Sequence, residues 1–520
     1  MRLLLSPEQY EQFCIADPVF YDAPDRLEDT DTWLEASHRP APAGWQKRVD
    51  GLWVQLTPPD TELPVQGWKV HVSVTPRDAE RVVAMVWEHC VRAGLHFKFL
   101  RSTSALRLLN AKHAPRASSG KAITLYLADP SALAATLRSL GAQLRGIPGP
   151  YVLSDLRHGS GPLFVRYGAF RDMWCVNGTG EPVPAIMTPA GELVPDRRAA
   201  SGSGGELPYD IERPLHFTNA GGVYLARSRQ DGTQVVIREA RPHAAVDSTG
   251  ADAVERLRHE REMLKRLDGI DSVPRFIDYH IVWEHHFLVE EYVPGETLIQ
   301  AIVRRHPLVH PSPSEADRDA YVRWVDDVTG RVQDALGAVH ARGVRFGDLH
   351  PANVILRPDG GVSLVDWELA GDLKEPSLGG VGAPGFAARE DADGRDADLH
   401  ALAHLHLMAL IPLVPLVALD ESKGNTLREV ARKELSVVPA RGQRGAPSSP
   451  GSCDGSADRA GAMFGADRLD WSSIRESLVA GIHAAATPGR ADRLFPGDPL
   501  QFGSGGADLA FGATAPCSRS

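Results

Sequence analysis

The sequence predicts an α+β fold in two successive units, and three observations predict it. Val70, Val72 and Val74 alternate with Lys69, His71 and Ser73, the period-two mark of a strand with one apolar and one polar face. Ala79, Val82, Val83, Val86, Trp87, Cys90 and Val91 then recur at helical spacing, so a helix follows the strand. Beyond residue 209, short strand patterns crowd together before long helical stretches begin, which describes a small β-rich lobe followed by a helical one.

The first elements follow in order. Residues 1–60 are rich in Pro and Asp and predict an irregular arm. Thr75-Pro-Arg-Asp78 predicts a helix start, with Thr as N-cap and Pro at the first helical position, and Gly94 predicts its end. His96–Leu100 is the next strand, giving a β-α-β unit whose two strands run parallel and are candidates for neighbours. A Gly/Ser turn at 118–120 leads to an alternating strand at Ile123–Leu127 and a helix near 131–140. The first domain, 1–170, closes at Phe170, and the Pro-, Gly- and Ser-rich residues 171–208 predict a linker or long loop.

The second domain spans 209–440, with strands at 223–226 and 234–239, a charged helix at 251–267, strands at 275–283 and 286–291, and a long helix at 318–341. Residues 441–490 predict a flexible linker with a short helix at 471–485, and 491–520 form a separate final segment.

Bulk properties exclude several classes. A chain of 520 residues is too long for one core, and the apolar (43%) and charged (24%) shares suit a soluble protein. A net charge of -11 argues against nucleic acid as a partner. Five scattered cysteines, at 14, 90, 175, 453 and 517, form no CxxC pair and suit a reducing compartment. Met1-Arg-Leu-Leu-Leu5 is too short for a signal peptide, and Leu405–Leu419 carries two prolines and falls short of a membrane span. The expected location is cytoplasmic, without membrane contact.

Two constellations carry chemistry. Asp348-Leu-His-Pro-Ala-Asn353 keeps the spacing D-x-x-x-x-N, and Asp366 follows 18 residues later (366 − 348), after the apolar run Val362-Ser-Leu-Val365. Phosphoryl transfer needs a base that orients the acceptor hydroxyl and oxygen ligands that hold Mg²⁺ across nucleotide phosphates. Asp348 fits the base, and Asn353 and Asp366 fit the metal ligands. Upstream, Gly221, Gly222 and Val223 form a shortened glycine turn whose amides can meet phosphate, Arg238 stands where protein kinases carry lysine, and Glu260 is its expected helix partner. Asp366-Trp-Glu368 replaces D-F-G, and Gly385–Glu390 occupies the position of the A-P-E segment. An Asx turn before a strand would share the Asp348–Asn353 pattern. The same core resembles aminoglycoside and choline kinases, so the acceptor is either a peptide or a small molecule.

In the N-terminal unit, Lys69, His71 and Ser73 share one strand face, and Lys98 projects opposite to Phe97 and Phe99. Eliminating phosphate from phosphoserine needs a base for the Cα proton, a cation at the carbonyl and an acid for the leaving group. Lys98 is the expected base, His71 the acid and Lys69 the carbonyl polariser. Arg116 and Arg166, then Arg157 and Lys121, are candidate phosphate ligands, and Tyr126 is a further donor. A solvated polar strand face would carry the same residue types.

The N-terminal unit resembles the phosphothreonine lyases of bacterial effectors, with Lys69, His71, Lys98, Arg116 and Tyr126 in the matching positions. The chain more broadly resembles class III lanthipeptide synthetases. The matching stretches are Tyr21-Asp-Ala-Pro-Asp-Arg26, Trp68–Val74, Asn219-Ala-Gly-Gly-Val-Tyr-Leu225, Arg238–His243, Phe287–Tyr292 and Phe346–Asn353. The resemblance implies a lyase-like α+β domain followed by a two-lobed protein-kinase-like domain. It also implies use of ATP or another nucleoside triphosphate with Mg²⁺, and a precursor peptide with a leader as partner. In that family the kinase phosphorylates Ser and Thr, the lyase eliminates phosphate to dehydroalanine and dehydrobutyrine, and a cyclase-like domain closes rings. Leu494-Phe-Pro-Gly-Asp498 and Gly505–Gly512 look like the opening of such a cyclase, but the sequence stops at Ser520. That expectation leaves a shortened copy, a disrupted gene or reliance on a separate cyclase open. Two rival functions are a small-molecule phosphotransferase and a decayed scaffold that binds a leader peptide.

Overall fold

Apolar alternation and helical spacing resolve into two folded units in the computed structural model. It describes residues 24–196 and 207–435, apart from 113, 117, 172, 179, 181, 248–249, 311, 376–382, 389–391 and 419–420. It also describes 471–486 and single positions at 13, 16, 22 and 495.

The first unit is built on a sheet of β1 (Gln46–Asp50), β2 (Trp53–Thr57), β3 (Gln66–Val72), β4 (His96–Leu100), β5 (Ile123–Leu127), β6 (Leu156–Arg157) and β7 (Leu163–Ala169), in the order β1-β2-β4-β5-β3-β7-β6. Every neighbouring pair is antiparallel. β3 and β4 therefore run parallel to each other, as the sequence predicts, but they are not neighbours: β5 lies between them. The physical reason is burial. Four of the five β5 residues are buried, and such a strand is most stable at the centre of a sheet.

Helix α1 (Ala79–Ala93) covers one face, burying Val82, Val86, Trp87 and Cys90 against Val70, Val72, Phe97 and Phe99. The Trp87 ring lies edge-on to Phe97 and Phe99 at 5.7 and 6.0 Å. The helix starts at Ala79 rather than Thr75, because the Thr75 hydroxyl donates to the Asp78 carboxylate at 3.2 Å within a turn instead of capping. Gly94 ends it with φ 64°, as expected. Helix α2 (Thr103–Asn110) is capped by Ser102, and α3 (Pro130–Gln143) by Asp129. Residues 171–208, expected as a linker, hold a small sheet of β8 (Trp174–Val176), β9 (Pro182–Met187) and β10 (Leu193–Pro195). The Gln66 amide fastens it to the main sheet, donating to Met187 O at 2.8 Å and accepting from Met187 N at 2.7 Å.

The second unit opens with a five-stranded sheet, β11 (Tyr209–Phe217), β12 (Gly222–Ser228), β13 (Gln234–Ala240), β15 (His285–Glu291) and β14 (Phe276–Val282), in that spatial order. Helix α4 (Ala253–Arg266) packs on it, started by a capping box between Asp252 and Glu255. Strand β11 escapes sequence reading because every residue after Tyr209 is exposed and two bulges break its register, so no alternation survives. The helical lobe follows with α5 (Leu298–Arg305), α6 (Glu315–Ala341), α7 (Gly394–Leu410) and α8 (Lys423–Leu435). Short strand pairs between them include β16 (Glu296–Thr297), β17 (Val344–Arg345), β18 (Val354–Leu356), β19 (Val362–Leu364) and β20 (Gly371–Asp372). Along α6, Val325, Val328, Val332, Leu336 and Val339 form the buried stripe. Helix α9 (Trp471–Ala485) matches its expected range, whereas the expected linker at 441–470 and nearly all of 491–520 lie outside the described residues.

Several contacts join the two units, among them the following. The β14–β15 hairpin turn sets Trp283 edge-on to Tyr151 at 4.7 Å and pairs Glu284 with Arg157. The chain just after α2 reaches the glycine turn between β11 and β12, where Lys112 O accepts from Asn219 N at 2.8 Å.

Candidate active sites

The face of the first sheet opposite α1 carries the first site. Strand register sets Lys98 opposite Thr124 and Thr124 opposite His71, so these three form one row across β4, β5 and β3. Two residues along, His96, Tyr126, Lys69 and Arg166 form the next row. Two strand spacings separate Lys98 from His71, about 10 Å of backbone, which leaves room for a small group between them. Trp53, Lys69, His71, Lys98, Ser118, Lys121, Thr124 and Tyr126 line a cavity of about 260 Å³.

His71 is buried, and its Nδ1 meets the Asp155 carboxylate, which also accepts from the Ser154 hydroxyl at 2.6 Å. Burial pushes the imidazole down to about 4 against the opposing pull of Asp155, with Lys121 and Lys69 lowering it further. His71 is therefore neutral at pH 7, and a proton on Nδ1 shared with Asp155 leaves Nε2 with its lone pair. Burial, then the charges of Arg166, Lys98 and Lys121, lower Lys69 to about 8. Burial raises Tyr126 to about 12, so its hydroxyl stays a donor. The Lys98 ammonium sits 4.1 Å from the centre of the Trp53 ring. Three lysines converging on one small cavity favour a multiply charged anion.

The other candidate phosphate ligands divide. Lys121 lines the cavity. Arg166, opposite Lys69, turns to Asp196 at 2.7 Å, and its buried Nε has no hydrogen-bond partner among the described residues. Arg116 lies over the Phe217 ring at 5.0 Å, and Arg157 donates to Gly161 O and pairs with Glu284, so both stand at the seam between the units. Asp155 and Trp53 are site residues that strand periodicity does not reveal. Asp155 comes from a loop with no local pattern, and only the fold brings it to His71.

The second site lies between the two lobes. Asp348 accepts from Asn353 Nδ2 with both its carbonyl (3.0 Å) and its carboxylate (3.1 Å). The loop is held from below by the buried Asp398 on α7, which accepts from Phe346 N (2.8 Å), Gly347 N (2.9 Å) and His340 Nε2 (2.8 Å). Asp398 is unsigned in the sequence, one acid among several on its helix. Arg238 Nη1 donates to Glu260 Oε1 and to Asp366 Oδ1, each at 3.0 Å, and its Nε lies 3.4 Å from Glu290. Burial works to lower Arg238, but Asp366, Glu260 and Glu290 hold it well above its ordinary value. Its planar fork spans three acids where an ammonium would be a point charge. Glu260 also accepts from Trp367 N at 3.0 Å, and burial raises its carboxyl.

Asp366 has φ 71°, in the left-handed region. Gly221 is required for a different reason than phosphate: a Cβ there would lie 1.8 Å from Glu239 O. Gly222 and Val223 open β12 beside it. Only Gly385–Ala388 of the expected A-P-E counterpart is described, and Phe386 and Ala387 wall a hollow above Asp348. For a metal, Asn353 and Asp366 supply oxygens next to Asp348, and no cluster of three or more His, Cys, Asp or Glu stands ready as a metal cage among the described residues. That donor set fits Mg²⁺, which binds through one or two protein oxygens and completes its shell with phosphates and water.

Comparison with known proteins finds relatives for both units. A family model described as RamC, N-terminal domain matches residues 34–208, and the protein kinase domain model matches 209–426. The chain is 40% identical over 569 residues to the probable SapB synthase of Streptomyces coelicolor, covering 96% of this chain and 60% of that protein. It is 32% identical over 255 residues to the serine/threonine-protein kinase PkaA of the same organism, covering 45% of this chain and 43% of the kinase. The serine/threonine-protein kinase PknI of Mycobacterium tuberculosis matches at 29% over 215 residues, 40% of this chain and 33% of that kinase.

Proposed function

We propose, for a chain that belongs to the class III lanthipeptide synthetases, that it dehydrates Ser and Thr side chains of a peptide in two steps at two sites. The observation that carries the reading is the coexistence of a cationic lyase-like cavity and a kinase-like catalytic turn in one chain. The chain spans 60% of the length of the synthase it matches. The peptide partner is a leader-bearing precursor, and the place of action is the cytoplasm. Among the described residues no helix is long and apolar enough to cross a membrane.

In the first step Asp348 accepts the proton of the Ser or Thr hydroxyl while that oxygen attacks the γ-phosphorus of ATP or another nucleoside triphosphate, and the diphosphate departs. Asn353 and Asp366 would hold Mg²⁺, which supplies charge neutralisation at the phosphates when bound. Gly221, Gly222 and Val223 offer backbone to the phosphates, and Arg238 with Glu260 ties strand to helix.

In the second step Lys98 takes the Cα proton, Lys69 and Tyr126 stabilise the charge that develops on the carbonyl, and the C–O bond breaks to leave an alkene and phosphate. Lys121 and Arg166 receive the phosphate. His71 hands a proton to the departing oxygen. Because free His71 is neutral, it acquires that proton as the phosphate arrives: the anion's charge raises the imidazole, and Asp155 steadies the imidazolium. Replacing Asp155 by Asn is expected to slow elimination from a preformed phosphopeptide about 100-fold or more, leaving phosphorylation unchanged, as read by separate turnover assays.

Mass spectrometry of a Ser/Thr-rich precursor peptide incubated with the protein, nucleotide and Mg²⁺ tests the whole reading. Loss of one water per site with phosphorylated intermediates is the expected result. Peptide left unchanged, with phosphate transferred to an aminoglycoside or choline-like alcohol instead, would replace it by the small-molecule reading.

A further inference from the structure

Lys112 belongs to the first unit, two residues after α2, yet its ammonium donates to Glu368 Oε1 in the second unit at 2.6 Å. Glu368 closes the Asp366-Trp-Glu run, and its other oxygen lies 3.4 Å from Arg256 Nε on α4. Helix α4 also carries Glu260, which accepts from both Arg238 and Trp367 N. One carboxylate thus joins three pieces: the segment bearing the expected metal ligand, the helix bearing the Arg238 partner, and a lysine from another domain.

The backbone around Lys112 grips the same site from a second side. Asn219, the first residue of the glycine turn, donates from its backbone N to Lys112 O (2.8 Å) and from Nδ2 to Asn110 O (3.0 Å) and Ala111 O (3.1 Å). Ala245 N, ahead of α4, donates to Asn110 O at 3.0 Å. Asn110 in turn accepts from Gly120 N at 2.7 Å, between Ser118 and Lys121 of the lyase-like cavity. Residues 110–112 therefore touch the nucleotide-facing turn, the helix start and the residue after Trp367, while anchored to the rim of the other site.

We infer that Lys112 is a positioning residue for phosphoryl transfer, supplied by the lyase-like domain to hold Glu368, and through it Asp366 and α4, in the arrangement that receives the nucleotide and its metal. The inference rests on the kinase reading of the second unit. Glu368 is held from both sides, by Lys112 on one carboxylate oxygen and by Arg256 of α4 facing the other.

The test uses the full chain and scores the two half-reactions separately, phosphorylation of precursor peptide and elimination from a synthetic phosphopeptide. Lys112→Ala is expected to lower kcat/KM for phosphorylation about 10- to 100-fold, with KM for the Mg²⁺–nucleotide carrying much of the change. Elimination should stay within about twofold of wild type, which doubles as the check that the chain is folded. Lys112→Arg should restore most of the kinase activity, and the swapped pair Lys112→Glu with Glu368→Lys should recover more than either single change. Kinase activity of Lys112→Ala equal to wild type would overturn the inference, and so would a parallel fall in elimination, which would mean a merely structural contact. A wild-type chain that eliminates but never phosphorylates would instead remove the kinase reading itself, and this inference with it.

Discussion

Replacing Lys98 by alanine should leave phosphopeptide to accumulate while phosphorylation continues. The lysine stands in the central row of the sheet, across Thr124 from His71, at the wall of a cavity of about 260 Å³. The other basic side chain in that row, His71, is assigned to the departing oxygen, which leaves Lys98 for the Cα proton. Loss of a general base costs about 10²- to 10⁴-fold, equivalent to roughly 3–5 kcal/mol of barrier. Phosphorylation draws on Asp348 and its neighbours in the other unit, so the intermediate has a source and no exit. Fully dehydrated product from Lys98→Ala, seen by mass spectrometry, would sink the assignment. Lys98→Arg is the companion variant, because it keeps the cation and the packing on Trp53 but cannot supply a neutral amine.

The same cavity predicts a pH profile. Lys69 is held down to about 8 by burial and by Arg166, Lys98 and Lys121. It is charged below that value and neutral above it, and its proposed task at the carbonyl needs the charge. The kcat/KM for elimination, which reports the free enzyme, should therefore fall as pH rises through about 8. Lys69→Arg should move that limb out of the accessible range. An unchanged limb in the arginine variant would assign it to another group.

What the sequence discloses here depends on how local the physics is. The faces of β3 and β4 were legible because side chains alternate in any strand, whichever neighbour it finds. That β5 divides them was not, since strand order is decided by which strand is buried on both faces, a property of the assembled sheet. The turn Asp348–Asn353 was legible for the opposite reason: its expected base and metal ligand are five residues apart and bond each other directly. Asp155, Glu290, Asp398 and Lys112 carry no such spacing. Each matters because a partner distant in the chain needs a charge, and only folding supplies the partner. Arg116 and Arg157 show the converse case. Both carry the forked donors that phosphate demands, and their contacts in the structure lie where the units meet.

Replacing Asp348 by asparagine should abolish phosphorylation and leave elimination from a preformed phosphopeptide intact. The substitution is nearly isosteric, so Asn353 keeps its bond to the Asp348 backbone carbonyl, and Asp398 keeps its grip on Phe346 and Gly347. What goes is the one carboxylate on that turn able to take the acceptor's proton, and with it a negative charge beside the metal ligands. The expected loss is about 10²- to 10⁴-fold in kcat with little change in nucleotide affinity, because Asp366, Arg238 and the glycine turn remain. Asp366→Asn gives the contrasting pattern. It removes the negative charge that would hold the metal and that pairs with Arg238, so nucleotide binding should weaken with Mg²⁺ and little without it. If Asp348→Asn weakened nucleotide binding as much as it slowed turnover, the carboxylate would be a ligand rather than the base, and the two aspartates would exchange roles. The distinction is available because the elimination site, with its own substrate, reports on the same polypeptide in the same tube. A variant that loses both activities has lost its fold, and one that loses only the first has lost a proton acceptor.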